Sequence, residues 1–343
     1  MSGRLGMALA IAGGLAALAL VAGGFFATAA VLQGWLVALV FWSSLPIGAL
    51  VLLLIHRLTG GRWGEAMMPV LAPTATLVPL FAVLFVPVLA ALATVYPWAA
   101  EPGALPGDVV SAYLNLPGYV LRTLLAFIGW TIFLLAVVRF GAGPPLAALG
   151  LLFHGVLISA IAVDWAMSTD PHDHSTAFAA LFACQQLLAA LAWTALFAPA
   201  IADEQARRDL AGLMIATLVG VFYLALMTLI VSWYGDLPHP AAWFHARVRG
   251  GWELVIALVF LLQAAVPFLI LLPASHRRSP PWLQAAGGTI LVGVALHVAW
   301  WMGPTFRPGA MVAAVLAVIA IGAAFMLGWR RFAPAAALEA DHG

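Results

Sequence analysis

The chain has 343 residues, of which 65% are hydrophobic and only 8% charged, with a mean hydropathy of +1.08 and a formal net charge of +1. A water-soluble domain carries roughly 25% charged residues, so this composition excludes a soluble globular protein, and the near-neutral charge leaves no footprint for a nucleic-acid partner. The lone cysteine, Cys184, excludes an intrachain disulfide, a cysteine-held iron–sulfur cluster and covalent haem attachment. A redox cofactor would be non-covalent or sit on another chain.

A helix needs about 20 apolar residues to cross a ~30 Å hydrocarbon core. Apolar runs broken by Gly, Pro and charge predict ten spans, near 5–23, 34–55, 71–93, 118–138, 145–163, 176–199, 211–233, 252–273, 282–302 and 309–329. The expectation is one all-α transmembrane domain over 1–343 with no large soluble part. The first run follows Arg4 and precedes the small residues Ala27–Ala30, as a signal peptide would. Its apolar stretch is long and another follows closely, so it is expected to be an uncleaved span. Small residues such as Gly13–Gly14 and Gly23–Gly24 favour close helix packing. The longest segments between spans, about 94–117 and 234–251, are rich in Pro, Trp and Tyr and suit interfacial turns or a docking surface.

The arginines set an orientation. Ten spans place Arg4, Arg57, Arg62, Arg139, Arg207, Arg208, Arg277, Arg278, Arg330 and Arg331 on one side and Arg247, Arg249 and Arg307 on the other, with Arg122 at a boundary. Excess Arg in short loops marks the cytoplasmic side, so both termini are expected there. Glu101, Asp108, Asp170, Asp173 and Asp236 fall on the outer side.

Ionisable groups in a bilayer cost about 2.5–3.5 kcal/mol each at mid-helix and usually serve function. The candidates are Arg122 near the outer start of span four, His154 in the middle of span five, Asp164 at its outer end, Glu253 at the start of span eight and His297 deep in span nine; Gln185 and Gln186 lie in span six. A mid-membrane imidazole with a carboxylate at the outer mouth suits a quinone head group and a proton exit, because neutral His hydrogen-bonds a carbonyl and passes protons near neutral pH. His154 and Asp164 are ten residues apart, about 15 Å along a helix, so only intervening groups could join them. The competing reading of His154 is a buried, hydrogen-bonded core histidine. Arg122 could pair with Asp164 or Glu253, or snorkel to the interface. His154 and His297 as axial haem ligands lack the doubled histidines of cytochrome b helices. Asp170-Pro171-His172-Asp173-His174 offers metal-ligand types, yet suits capping of the sixth span equally well.

Several segments, in order, resemble one family. His56-Arg57-Leu58-Thr59-Gly60-Gly61-Arg62-Trp63-Gly64, Tyr96-Pro97-Trp98-Ala99, Tyr113-Leu114-Asn115-x-Pro117 with Arg122, Asp164-Trp165-x-Met167-Ser168-x-Asp170-Pro171-His172-x-x-Ser175-Thr176, Gly250-Gly251-Trp252 and Trp301-x-x-Pro304 are similar to segments of the ActF-type membrane subunit of alternative complex III, a bacterial quinol:electron-acceptor oxidoreductase. The resemblance implies an NrfD-like (polysulfide-reductase membrane-subunit-like) fold of about ten helices with four-helix bundles, in the bacterial cytoplasmic membrane. It also implies neighbouring membrane, iron–sulfur and haem c subunits, no haem on this chain, and a quinone-facing surface or proton path. Asp164 is the best carry-over from the family, with His172 and Arg122 behind it. The chain departs from the pattern at Arg57, where the family has a second His, at Asp173-His174, where it has Trp-Tyr, and at His297-Val298 before Trp300-Trp301. The alternative from another class is a stand-alone membrane protein of this fold with an assembly or transport role.

Overall fold

The computed structural model describes residues 3–171, 175–235 and 238–333. Among these the chain is helical without strands, and nine helices are long and apolar enough to cross a membrane. This is a polytopic helical membrane protein.

The first of the nine, α1 (Gly3–Thr59), is one run by hydrogen bonding, with Ala27 alone at non-helical φ −144°, ψ 52°. On a straight helix Gly13 and Trp42 would lie about 43 Å apart. Both instead meet one stretch of the last helix: Gly13 abuts Ala323, and the Trp42 indole N–H donates to the Val318 carbonyl at 2.9 Å. The chain therefore doubles back at Ala27, and residues 3–26 and 28–59 are antiparallel arms. The sequence expected a longer connection between residues 23 and 34; no Pro stands there and the reversal takes far less chain.

The remaining spanning runs are built on α2 (Arg62–Ala75, the run continuing to Ala90), α3 (Leu116–Leu134), α4 (Pro144–Trp165), α5 (Phe178–Leu196), α6 (Glu204–Gly235), α7 (Trp252–Val259, the run continuing to Leu271), α8 (Pro280–Met302) and α9 (Ala310–Phe332). The expected span 71–93 begins earlier, at Arg62, and is interrupted after Ala75, Leu84 and Ala90. Pro69, Pro73, Pro79, Pro87 and Pro97 explain this, since each removes a backbone donor and crowds the preceding turn. Gly60 and Gly61 (φ 65° and 98°) turn the chain from α1 into α2, and Gly250 and Gly251 (φ 65° and 96°) lead into α7. These left-handed backbones suit glycine alone.

The helices pack as two four-helix groups. The first comprises the second arm of α1, the broken segment 62–95, α3 and α4; the second comprises α5, α6, α7 with its continuation, and α8. The second arm of α1 is the hub, touching α2, α4, α5, α8 and α9. Gly48 makes the hub contact close, its Cα lying against the Gln186 backbone of α5, as small residues do between membrane helices. The first arm lies outermost, with Met7, Ile11, Leu15, Leu18, Phe25 and Phe26 exposed.

The charged ends segregate. At one end Arg62 pairs with Asp203 at 2.7 Å, Arg278 with Glu204 at 3.2 Å, and Arg207 donates to the Arg278 carbonyl at 2.6 Å. At the other end lie Arg122 with Asp164, Arg247 with Asp170, and the Arg307 amide donating to Gln33.

Candidate functional site

In the first bundle, the backbone places Arg122 two turns into α3 and Asp164 in the last turn of α4. The guanidinium donates in parallel, Nε to Asp164 Oδ2 at 2.7 Å and Nη2 to Oδ1 at 2.9 Å. Asp164 is fully buried while the Arg122 side chain is 18% exposed. A carboxylate without a partner costs several kcal/mol to bury, and the two-point geometry is what offsets that. Arg122 also donates to the Tyr113 carbonyl at 3.0 Å and lies 4.0 Å over the Tyr113 ring, whose hydroxyl donates to the Ala160 carbonyl at 3.0 Å. Burial and then the negative charge of Asp164 push the Tyr113 hydroxyl well up, so it stays a neutral donor.

Aromatic hydrogen bonds brace this pair. Tyr96 and Tyr119 share a 2.8 Å bond between hydroxyls, the Trp98 indole donates to Ser168 Oγ, and the Trp165 indole donates to Thr123 Oγ1. Burial raises the Tyr96 hydroxyl strongly. Inward of the pair, the Trp130 ring stands 6.1 Å from both the Trp165 and the His154 rings. His154 Nδ1 and Trp130 Nε1 are buried without a hydrogen-bond partner among the described residues. His154 shares an aromatic neighbour with the Asp164 cluster, and no side-chain bond among the described residues joins the two.

The second bundle holds a different cluster. Pro267 has no N–H and crowds the carbonyl four residues before it, that of Gln263. The helix widens there into a π turn, Phe260–Ala265, before resuming as Val266–Leu271. Such insertions re-aim side chains, and Gln263 points into the core. Gly293 on α8 admits the Gln263 backbone at close range, and one turn further along is His297. Gln263 Nε2 donates to Gln185 Oε1 at 2.7 Å, Gln263 Oε1 stands 3.0 Å from His297 Nδ1, and Gln185 Nε2 is 3.4 Å from the same nitrogen. Gln263 and His297 of this triad line a cavity of about 520 Å³ between α5, α6, α7 and α8.

Arg247, which has no solvent-exposed surface, ties together two residues of the cavity wall, Trp243 and Trp301. It donates to the Trp301 carbonyl at 3.1 and 2.7 Å and to the Trp243 carbonyl at 3.1 Å, pairs with Asp170 at 3.3 Å, and covers the Trp243 ring at 3.8 Å. Its own carbonyl accepts from the Trp300 indole.

Of the sequence candidates, Arg122, Asp164 and His154 gather in the first bundle. His297 joins Gln185 in the second, so His154 and His297 are not brought together as axial ligands. Glu253 is exposed and caps its own helix by accepting from the Gly251 amide at 3.0 Å; Arg122 chooses Asp164, not Glu253. Gln186 is buried, and neither amide atom has a hydrogen-bond partner among the described residues. His172, Asp173 and His174 lie outside the described residues. Sequence reasoning missed Gln263, one polar residue in a long apolar run, and Arg247, which it counted as a loop cation. The available signals were Pro267 four residues after Gln263, and Trp243 and Phe244 one helical turn before Arg247. No protein-family model and no curated protein matches the chain, so the functional reading rests on these two clusters and the fold around them.

Proposed function

We propose that the chain is a non-haem integral subunit of a quinol-oxidising respiratory complex, crossing the bacterial cytoplasmic membrane ten times with both termini inside. Its role is to supply a proton route and a quinone-facing surface beside membrane, iron–sulfur and haem c subunits. The observation that carries this reading is the buried Arg122–Asp164 pair. It joins the Tyr113–Arg122 and Asp164–Thr176 segments, two of those on which the family resemblance rests. A carboxylate near the outer end can accept a proton and release it outward, and the Arg122 guanidinium beside it favours the release because it stabilises the carboxylate that remains. The reversal at Ala27 supports ten crossings, since each arm of α1 is long enough to span. The clustering of Arg57, Arg62, Arg207 and Arg278 at one end supports the orientation.

The test is Asp164→Asn in the native complex. Quinol-linked turnover or proton release is expected to fall about a hundredfold, the lower end of the range for losing a positioned proton-transfer group, while the subunit still assembles. Unchanged turnover in an assembled complex would sink the reading.

A further inference from the structure

The second-bundle cavity is apolar over most of its wall; the hydroxyls of Thr228 and Ser232 there donate to carbonyls of their own helix, and the amide and imidazole on the wall are Gln263 and His297, backed by Gln185. The triad determines what the wall offers there. Gln263 Nε2 is committed to Gln185, so Gln263 turns its carbonyl oxygen to His297 Nδ1 at 3.0 Å; the Gln185 Nε2 donor stands farther from the same nitrogen, at 3.4 Å, and the nearer oxygen favours the tautomer with the proton on Nδ1. The other ring nitrogen, Nε2, then holds a lone pair. His297 is 4% exposed and lines the cavity, and its Nε2 has no protein partner among the described residues. A buried acceptor facing an apolar space recruits a donor.

The opening of the cavity indicates where that donor comes from. Phe222 of α6 and Phe260 beyond α7 both line it, both are about half exposed, and their rings meet at 5.7 Å. Leu226 and Leu229 of α6 also line it and are exposed. The cavity thus opens sideways, between α6 and α7, onto the surface that faces acyl chains. Trp300 and Trp301 supply flat apolar walls near the triad, with Trp301 4.6 Å from the His297 ring.

We propose that this cavity binds a neutral membrane amphiphile head-first, its hydroxyl donating to His297 Nε2 and its tail leaving between Phe222 and Phe260. A hydroxyl head can come from a reduced quinol or from a glycerolipid alcohol, and both satisfy the same lone pair. The oxidised quinone, which has carbonyls and no donor, does not. The site is separate from Arg122–Asp164, and its occupancy does not depend on membership of a respiratory complex.

The experiment is equilibrium binding to the full chain in nanodiscs, under anaerobic conditions, with decyl-ubiquinol, decyl-ubiquinone and dioctanoylglycerol as probes. At least one hydroxyl probe is expected to bind about tenfold or more tightly than decyl-ubiquinone, a difference of about 1.4 kcal/mol, and the tighter of the two identifies the source. His297→Leu is expected to abolish the preference. Ala225→Trp, which fills the cavity from α6 without touching the triad, is expected to abolish binding and guards against a misfolded His297 variant. Equal binding of quinol and quinone with no binding of dioctanoylglycerol would overturn the proposal, as would binding that survives Ala225→Trp. Because the isolated chain is measured, failure here leaves the turnover test of Asp164 standing, and the converse holds too.

Discussion

The two bundles place polar groups at similar expense and to opposite ends. The first buries an ion pair in which both Asp164 oxygens accept from the Arg122 guanidinium, and tyrosines and tryptophans pack around it. The second buries, at the level of Gln263, two amides and an imidazole that bond one another, and leaves one imidazole nitrogen beside about 520 Å³ of cavity. A charge pair in low dielectric tolerates no loose end. A neutral triad does, and the second bundle has room for a ligand beside it, while the first holds a charge whose protonation has consequences.

The largest effect should come from splitting the ion pair. Arg122→Met alone leaves Asp164 uncompensated and is expected to lower stability by about 3–5 kcal/mol, read as thermal unfolding in detergent. Adding Asp164→Leu should recover most of it. A double variant no more stable than the single one would mean that the pair is not the source of the loss.

A smaller loss, about 1–3 kcal/mol, is expected for Gln185→Leu, which leaves the Gln263 amide buried without an acceptor. If Gln185→Leu costs as much as Arg122→Met, the contrast between charged and neutral clusters fails. Pro267→Ala sharpens the same contrast. It restores a donor for the Gln263 carbonyl, lets the π turn tighten and swings Gln263 away from His297. Hydroxyl-probe binding is expected to fall while the melting temperature holds, and binding equal to wild type would show that the π turn does not set the triad.

The smallest effect belongs to the exposed Arg62–Asp203 pair. What desolvation Asp203 meets pushes its carboxyl up, but hydrogen bonds from the Gln205 amide and the charge of Arg62 hold it below the usual carboxylate range. A depressed carboxylate stabilises above its unfolded pKa and loses that contribution as pH falls through the folded value. Asp203→Asn should therefore matter slightly at neutral pH, not at acid pH, and not at high salt. A salt-independent loss would place this pair among the buried ones.

Much of the fold was legible in the sequence because hydropathy reads one-dimensional facts. Spans four to ten begin and end within a few residues of the helices, apart from the early start of α6 at Glu204. There the charged first turns, with Arg207 and Arg208, project beyond the apolar run. The reversal at Ala27 was not legible as a single-residue break, since no Gly or Pro marks it and packing against α9 sets it. Asp164 and Arg122 stood out because charge in an apolar run is conspicuous. Gln263 and Arg247 did not, because their roles depend on where a π turn and an outer helix carry them, which is a property of three dimensions.

The most direct measurement is affinity purification of the chain from native membranes in mild detergent, with mass spectrometry of whatever accompanies it. The account predicts recovery with iron–sulfur and haem c subunits and quinol-oxidising activity in the same fraction. Recovery of the chain by itself, colourless and inactive with quinol, would contradict it.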